Sequence, residues 1–402
     1  MLSLAGTMNP LSKLLSLGEV EQRQLGVLHT AREIAQQPDT WLRTYEKIKS
    51  LQPELLAFLS NAKVFGVSEE GPTVFLVGAG TSDYVGRSVA SVLRHRWQCE
   101  VWAVPSTDLL TNFDDLHVKG KSYLWISFSR SGDSSEGVAI LESSLRRRSD
   151  IHQLIVCCNQ AGQMVRLAEG TSNAFTLVLD DEVNDRGLAM TSSYSNMVVA
   201  GQCLAHLRDL ESYESNLQSL IVSGRKLLPM AAEVASSFVA NGFKKICFLG
   251  TGSLSGVAVE SALKVTELTA GGIVSFSETF LGVRHGPLSA IDTQTLIVGF
   301  LSTDQRTRAY EIDLLEEIKA KGLTQNILLL TSAVAPEAQQ KLSKIAKPLI
   351  LDARVEDRYR PAVDVLLGQL IGLFASLKLG LNPDVPSPHG AISRVVSKVR
   401  IH

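Results

Sequence analysis

The segment VGAGTS, residues 77–82, ends a short apolar run and turns the chain on two closely spaced glycines. The segment LGTGSL, residues 249–254, repeats that turn 172 positions later. A longer block keeps the same spacing, since TLVLDDEVNDR at residues 176–186 matches PLILDARVEDR at residues 348–358. Blocks that keep one spacing are hard to produce by chance, so the chain is predicted to contain a duplicated α/β unit.

Short runs rich in apolar and β-branched residues alternate with helical segments in both units. Near-continuous apolar strands separated by helices are typical of a parallel sheet covered on both faces. The runs are residues 73–77, 100–104, 122–128, 153–158 and 175–179 in the first unit, and 245–250, 272–277, 294–300, 326–331 and 349–352 in the second. The sequence therefore predicts an α/β fold of two tandem doubly wound parallel-sheet domains with an N-terminal helical extension.

The position of the repeat also predicts the domain organisation. The residues before the first strand are polar with apolar positions at helical spacing, and a long polar helical stretch separates the two units. The predicted parts are a helical extension at residues 1–63, a first domain at 64–211, a linker helix and second domain at 212–380, and a tail at 381–402 that closes the active site.

The composition is that of an ordinary globular protein, with 45% apolar and 20% charged residues in a chain of 402. A net charge of −2 gives no electrostatic attraction for nucleic acid or a membrane surface, so neither is expected as a partner. The five cysteines lack a C-x-x-C spacing, which argues against a disulfide framework and a zinc site. The N-terminus lacks a secretory leader, and no stretch approaches the roughly 20 apolar residues of a membrane span, so a cytoplasmic location is predicted.

Hydroxyl side chains are concentrated at two strand-to-helix turns of the first unit. Gly132 allows a tight turn in one of them, and the following helix offers free N–H groups and the positive end of its dipole. The hydroxyls belong to Thr81, Ser82, Ser129, Ser131 and Ser134. One such loop could equally be a solvated helix cap, but two together favour a site for phosphate or another anion.

The glycine turns do not fit a dinucleotide or nucleoside triphosphate site. Asp83 stands where the third glycine of a G-x-G-x-x-G motif belongs, and no acidic residue ends the next strand to bind a ribose. The G-K-[ST] ending of a P-loop is also absent.

The second unit carries the candidate groups for proton transfer. Glu260, Lys264 and Glu267 share one helix face, a spacing that is usually explained by a solvated row of salt bridges. The segment RHGP, residues 284–287, then forms a rigid turn that presents His285, the side chain type best suited to proton transfer near neutral pH.

Taken together, these motifs resemble the sugar isomerase (SIS) family of phosphosugar-binding domains, and their tandem order is similar to the isomerase half of glucosamine-6-phosphate synthase. They resemble one subfamily more closely, the AgaS-type galactosamine-6-phosphate deaminase/isomerases, also called tagatose-6-phosphate ketose/aldose isomerases. The resemblance runs from about residue 39 to the end of the chain. Its motifs are residues 103–112 (AVPSTDLLTN), 127–138 (SFSRSGDSSEGV), 184–193 (NDRGLAMTSS), 260–271 (ESALKVTELTAG), 282–292 (GVRHGPLSAID) and 393–396 (SRVV).

The resemblance implies where a sugar phosphate binds and which residues react with it. Glu267 falls on the family's catalytic base, and Lys264 on a lysine of the same helix. His285 falls on a ring-opening histidine that, in the synthase, reaches in from a second subunit, which implies a homodimer with a shared active site. Ser393 lies where the synthase has an imine-forming lysine, which argues against covalent capture of the ketose. The implied phosphate ligands are Ser82, Ser129, the main chain of Arg130, Ser131 and Ser134.

The activity implied by the resemblance is deamination and isomerisation of galactosamine 6-phosphate or glucosamine 6-phosphate. A proton moves from C2 to C1, and the products are the ketose 6-phosphate and ammonia, with no metal or organic cofactor. Two alternatives stay open: aldose–ketose isomerisation of tagatose 6-phosphate without deamination, and a non-catalytic sugar-phosphate sensor. The preference between C4 epimers also stays open, with Thr107, Asp108 and residues 186–193 as suspects.

Overall fold

The computed structural model describes residues 8–66, 71–148, 150–346, 348–396 and 399–402. The N-terminal extension is helical, as predicted, and it is bound tightly to the rest of the chain. Trp41 is fully buried, and its indole N–H donates a 2.9 Å hydrogen bond to Ser195 Oγ. The helices of the extension are α1 (Pro10–Ser16), α2 (Glu19–Leu25), α3 (Thr30–Ala35), α4 (Gln37–Ser50) and α5 (Gln52–Asn61).

The first unit contains a five-stranded parallel sheet in the order β2-β1-β3-β4-β5. Each strand coincides with a predicted apolar run, which confirms the fold prediction for this unit. The strands are β1 (Thr73–Gly78), β2 (Val101–Pro105), β3 (Tyr123–Ser129), β4 (Ile151–Cys157) and β5 (Ala174–Val178). The helices are α6 (Thr81–Trp97), α7 (Ser106–Thr111), α8 (Phe113–Leu116), α9 (Ser135–Arg147), α10 (Gln163–Ala168) and α11 (Ser192–Ala205), with a 3-10 turn at Asp181–Val183.

The second unit repeats this sheet with the order β10-β9-β8-β6-β7, again entirely parallel. The strands are β6 (Lys245–Gly250), β7 (Val274–Glu278), β8 (Thr295–Phe300), β9 (Ile327–Ser332) and β10 (Leu349–Leu351). The helices from the junction onward are α12 (Leu210–Asn241), α13 (Ser253–Leu268), α14 (Gln305–Ala320), α15 (Pro336–Ile345) and α16 (Pro361–Lys378). Short 3-10 turns lie at Leu207–Asp209, Gly282–Arg284 and Pro287–Ala290.

The two copies have the same backbone conformation at their glycine turns. Gly80 and Gly252 adopt the same left-handed conformation, with φ of 56° and 61°. A Cβ on Gly78 would lie 2.4 Å from the backbone of Ser82, and one on Gly250 would lie 2.2 Å from the backbone of Leu254. The turns therefore require glycine for close approach of the strand end to the helix that follows, and not for contact with a nucleotide.

The two units share one hydrophobic core, which fixes the face where they meet. Helix α13 of the second unit packs against α6 of the first and against α16. The junction helix α12 is less polar than predicted, because Leu217, Leu220 and Leu227 are fully buried and the helix packs against α16. A side chain on the inner face of α13 is consequently placed beside the first unit's glycine turn.

Helix α16 is more apolar than the sequence analysis anticipated. It is long and apolar enough to cross a membrane by length and composition. However, 89% of it is buried inside the protein, and it carries the buried Asp364 paired with Arg360 at 2.7 Å. Burial in the core between α12 and α13 accounts for its composition.

Candidate functional site

The candidate site forms where two strand-to-helix turns of the first unit lie side by side. Strands β1 and β3 are hydrogen-bonded neighbours, with Val77 opposite Ser127. The glycine turn after β1 (residues 78–82) and the serine loop after β3 (residues 129–135) therefore emerge together. They lie where the strand order reverses, which is the usual ligand position in an open parallel sheet.

A small cavity of about 150 Å³ lies between these two loops. Hydroxyl groups from three strand ends surround it, and most of the side chains that carry them are buried. The hydroxyl-bearing residues that line it are Ser82, Ser106, Ser127, Ser129, Ser131 and Ser134. Four of these were predicted from the sequence, while Ser106 and Ser127 were not.

The serine loop forms a tight turn around Gly132 at the edge of the cavity. Ser129 Oγ accepts a 3.0 Å hydrogen bond from the N–H of Gly132, which has a left-handed φ of 68°. A Cβ on Gly132 would lie 3.0 Å from Cys157 Sγ, so the turn leaves little room for another residue. Within the described part of the chain, the amides of Ser131 and Ser134 have no acceptor. Free N–H groups ahead of α9 are a suitable site for an anion.

A larger cavity of about 1040 Å³ adjoins the small one. The two share part of their wall, which includes Arg130, Met190 and Arg394. Thr81, Glu267 and Ser393 also line the larger cavity. The predicted anion cradle and the predicted base thus line adjoining cavities, although they come from different units.

Thr81, Glu260, Lys264 and Glu267 form a hydrogen-bonded cluster, here called the Lys264 network. Lys264 Nζ lies 2.5 Å from Glu267 Oε2, 3.0 Å from Thr81 Oγ1 and 3.4 Å from Glu260 Oε1. Thr81 Oγ1 in turn lies 3.3 Å from Glu260 Oε1. The side chains of Glu260 and Lys264 are fully buried, whereas that of Glu267 is 22% exposed. A solvated row of salt bridges is therefore the wrong interpretation of this spacing.

Burial sets the charges within the Lys264 network. It raises the pKa of Glu260 to about 8, although the neighbouring Lys264 opposes the shift. Burial alone would lower the pKa of Lys264, but the two facing carboxylates outweigh it and raise that pKa. The shortest contact in the network joins Lys264 Nζ to Glu267 Oε2, at 2.5 Å. The buried ammonium group of Lys264 therefore holds the Glu267 carboxylate at the wall of the larger cavity.

His285 does not reach this site within one chain. It ends the 3-10 turn Gly282–Arg284, and its side chain is exposed. Gly286, with a φ of 127°, follows it and redirects the backbone. His285 lines neither of the two cavities. The preceding Arg284 is engaged elsewhere, since its Nε lies 2.7 Å from Glu317 Oε2.

The side chain of Arg130 connects the serine loop to two other segments of the chain. Its guanidinium group donates to the carbonyls of Gly187 at 3.3 Å and Leu188 at 3.0 Å, and also to the carbonyl of Arg394 in the tail. The tail also contacts α9 directly, because Ser135 N–H donates to the Val396 carbonyl at 3.0 Å. The tail therefore lies across the mouth of the site.

Ser393 is exposed at the rim of the larger cavity, and its Oγ donates to the Val395 carbonyl at 2.8 Å. Of the suspected specificity segments, residues 186–193 contribute Leu188 and Met190 to the cavity wall. Thr107 and Asp108 line neither cavity, but the adjacent Ser106 does. The rule that ligands bind at strand ends could have identified Ser106, since it directly follows β2.

Comparison with models of protein families gives no match. Comparison with individual known proteins and solved structures gives clear matches. The D-galactosamine-6-phosphate deaminase AgaS of Escherichia coli is 34% identical over 375 residues, which cover 93% of this chain and 95% of the relative. A crystal structure from Clostridium novyi, provisionally named a tagatose-6-phosphate ketose/aldose isomerase, superposes with a TM-score of 0.90 at 34% identity. The match covers 99% of this chain and 100% of the Clostridium novyi chain. The crystal structure of tagatose-6-phosphate ketose/aldose isomerase from Escherichia coli superposes with a TM-score of 0.81 at 32% identity. The match covers 93% of this chain and 96% of the Escherichia coli chain.

Proposed function

The chain belongs to the AgaS family of SIS-fold sugar-phosphate enzymes, and from this premise we propose that it deaminates and isomerises hexosamine 6-phosphates. The substrate is galactosamine 6-phosphate or glucosamine 6-phosphate, and the products are the ketose 6-phosphate and ammonia. One observation carries the proposal. The serine-lined cavity, suited to a phosphate, shares wall residues with the cavity that Glu267 lines, and the Glu267 carboxylate is held 2.5 Å from Lys264.

The phosphate dianion binds in the small cavity. Hydroxyls from Ser82, Ser129, Ser131 and Ser134, together with free amides before α9, donate hydrogen bonds to its oxygens. Ser106 and Ser127 add two more hydroxyls to this set. Fixing the phosphate end of a six-carbon chain places C1 and C2 in the larger cavity, where Glu267 and Ser393 lie.

Glu267 acts as the base in this mechanism. Its carboxylate removes the proton from C2 of the open-chain amino aldehyde, the C2–H electron pair forms the C1–C2 double bond, and the C1 oxygen takes up a proton. Protonated Glu267 then returns its proton to C1 of this enolamine, which leaves an imine at C2. Water adds to the imine carbon, ammonia departs, and the ketose 6-phosphate remains. Lys264 positions the Glu267 carboxylate for the first step through their 2.5 Å contact, and Thr81 and Glu260 hold Lys264 in place.

The histidine to which the family resemblance assigns ring opening, His285, does not reach this site within one chain. His285 is exposed and lies outside both cavities, and the nearby Leu281 is a large apolar side chain that is 46% exposed. We therefore include in the proposal a homodimer in which His285 of the partner subunit completes the site. The five cysteines are free thiols, which suits a cytoplasmic enzyme acting on a phosphorylated sugar.

The alternative activity is aldose–ketose isomerisation of tagatose 6-phosphate without loss of nitrogen. It would use the same cradle and base, and the Escherichia coli structural relative carries that name. A non-catalytic sensor is less consistent with the site, because a buried lysine and glutamate would be retained at a cost in stability without a catalytic role.

A substrate panel tests the proposal. The purified protein is incubated separately with galactosamine 6-phosphate, glucosamine 6-phosphate and tagatose 6-phosphate, and both ammonia and isomerised sugar are measured. We expect ammonia and ketose in equal amounts from at least one hexosamine 6-phosphate. Turnover of tagatose 6-phosphate alone would favour the isomerase alternative, and no turnover of any of the three would refute the proposal.

A further inference from the structure

The N-terminal extension contacts the active-site loop at one buried carboxylate. Glu33 on α3 is 6% exposed, and its Oε1 accepts hydrogen bonds from the N–H groups of Arg186 at 2.5 Å and Gly187 at 3.3 Å. These residues belong to the segment Asn184–Met190, here called the 184–190 loop. A Cβ on Gly187 would lie 2.9 Å from Thr30 Oγ1 and 3.0 Å from Glu33 Oε2, so the loop and α3 are in direct contact.

The 184–190 loop connects Glu33 to the wall of the larger cavity. Its next two carbonyls, those of Gly187 and Leu188, accept hydrogen bonds from the buried guanidinium group of Arg130. Leu188 and Met190 then form part of the wall of the larger cavity. A displacement of the Arg186–Gly187 peptide would therefore move both the cavity wall and the acceptors that hold Arg130.

The same loop holds the C-terminal tail. Arg394 donates to the Asp185 carbonyl at 2.7 Å and to Asn184 Oδ1 at 2.7 Å, while the Arg394 carbonyl accepts from Arg130. The tail is also anchored on α3, where Asp384 Oδ1 accepts from the N–H of Thr30 at 2.7 Å. The loop and the tail that line the cavity are thus both fastened to α3.

We infer that Glu33 is a positioning residue of the active site, which sets the 184–190 loop, Arg130 and the tail against the bound sugar. It touches no substrate and acts only through the backbone amides of Arg186 and Gly187. The inference rests on the proposed function, because that function makes the larger cavity the sugar-binding site. It gives the N-terminal extension, which lies outside the duplicated units, a role in positioning the active site.

The charged groups around Glu33 support a specific role for its contact with the 184–190 loop. Burial, and then the nearby Asp185, raise the pKa of Glu33 to about 8, and Asp384 adds to this effect. Arg130 is the buried cation on the other side of the same loop. Burying an acid at this position costs stability. The presence of Glu33 there is therefore consistent with a role in holding the amides of Arg186 and Gly187.

The test compares E33A with a matched control, T44A. Thr44 Oγ1 donates a buried 2.8 Å hydrogen bond to Asn196 Oδ1, so T44A also breaks a contact between the extension and the first unit, but not at the 184–190 loop. E33A removes the acceptor of both amides, and for it we expect the KM for the hexosamine phosphate to rise about tenfold. Inhibition by inorganic phosphate should weaken less than this, because the serine loop directly follows strand β3. T44A should change neither value.

Hydrogen exchange on the same full-length proteins needs no substrate. We expect the 184–190 amides and the tail to exchange faster in E33A than in T44A, while α9 stays protected in both. Equal exchange in the two variants, or an unaltered KM in E33A, would overturn the inference. Because exchange is read without turnover, failure of the proposed function and failure of this inference can be told apart.

Discussion

Thr81 of the first unit and Lys264 of the second unit are joined by a 3.0 Å hydrogen bond between Oγ1 and Nζ. This bond brings the glycine turn of the first unit into contact with the helix that carries Glu267. Because Lys264 is fully buried, its ammonium group has no water as a substitute for Thr81. The proposed catalytic groups therefore span the contact between the two units.

Replacing Thr81 with valine should lower kcat without weakening phosphate binding. The change removes the hydroxyl that holds Lys264, so Glu267 is less well placed, and the loss of a hydrogen bond to a charged group predicts a fall of roughly tenfold. Steady-state kinetics with phosphate as a competitive inhibitor measure both quantities. The control is Ser253→Ala, since Ser253 occupies the corresponding position in the second unit and bonds to Ser91 Oγ instead. An unchanged kcat in Thr81→Val would contradict the assigned role.

Replacing Lys264 with methionine should destabilise the fold as well as abolish turnover. It leaves Glu260 and Glu267 facing each other without a cation, and breaking a buried ion pair typically costs about 3–5 kcal/mol. The double variant Lys264→Met with Glu260→Gln removes a buried acid at the same time and should recover part of the loss. Urea unfolding gives the free energies. The interpretation fails if the single variant is as stable as the wild type.

Replacing Ser106 with alanine should raise the KM for the sugar phosphate by roughly threefold to tenfold, the effect of one lost hydrogen bond. The reason is that Ser106 is buried and lines the small cavity with the serine loop. Thr107→Ala is the matched control, because the neighbouring residue lines neither cavity. Equal KM values for the two variants would remove Ser106 from the binding site.

The stability of the protein should fall as the pH rises from about 5 to about 8. Burial raises the pKa of Glu33 from its ordinary value near 4.5 to about 8, so the native state binds this proton more tightly than the unfolded chain does. Its contribution is fully present below the unfolded pKa and is lost as the pH rises through the native pKa. Buried Glu260 acts in the same direction.

Glu33→Gln should remove part of that pH dependence, on the order of 2 kcal/mol. Urea unfolding at several pH values measures it. Glu46→Gln, which changes an exposed carboxylate of the same extension, should leave the dependence intact. A steep fall with pH that persists unaltered in Glu33→Gln would show that this carboxylate is not the group responsible.

The strands and glycine turns could be predicted from the sequence because their signals are local. Apolar runs and the steric need for glycine at positions such as Gly78 do not depend on the rest of the fold. The serine loop was accessible too, because two hydroxyl-bearing turns together favour an anion site over a solvated helix cap. The structure confirms the fold, and the predicted serine loop and Glu267 line two adjoining cavities, while their roles stay predictions.

The burial of Glu260 and Lys264 could not be predicted, because a spacing of four residues is the same on a solvated face and on a buried one. Only the packing of α13 against α6 decides between them. The direction of the Arg130 side chain depends likewise on the distant 184–190 loop and the tail. His285 was predicted as a catalytic group, but one chain leaves it exposed outside both cavities, so its role stays a prediction about the homodimer.

The most direct test of the central claim is ammonia release by Glu267→Gln. This variant keeps the shape of the side chain and the serine-lined cavity but removes the base. The account predicts that hexosamine 6-phosphate still binds with near wild-type affinity, as measured by calorimetry, while ammonia release falls to background. Undiminished ammonia release from Glu267→Gln would contradict it.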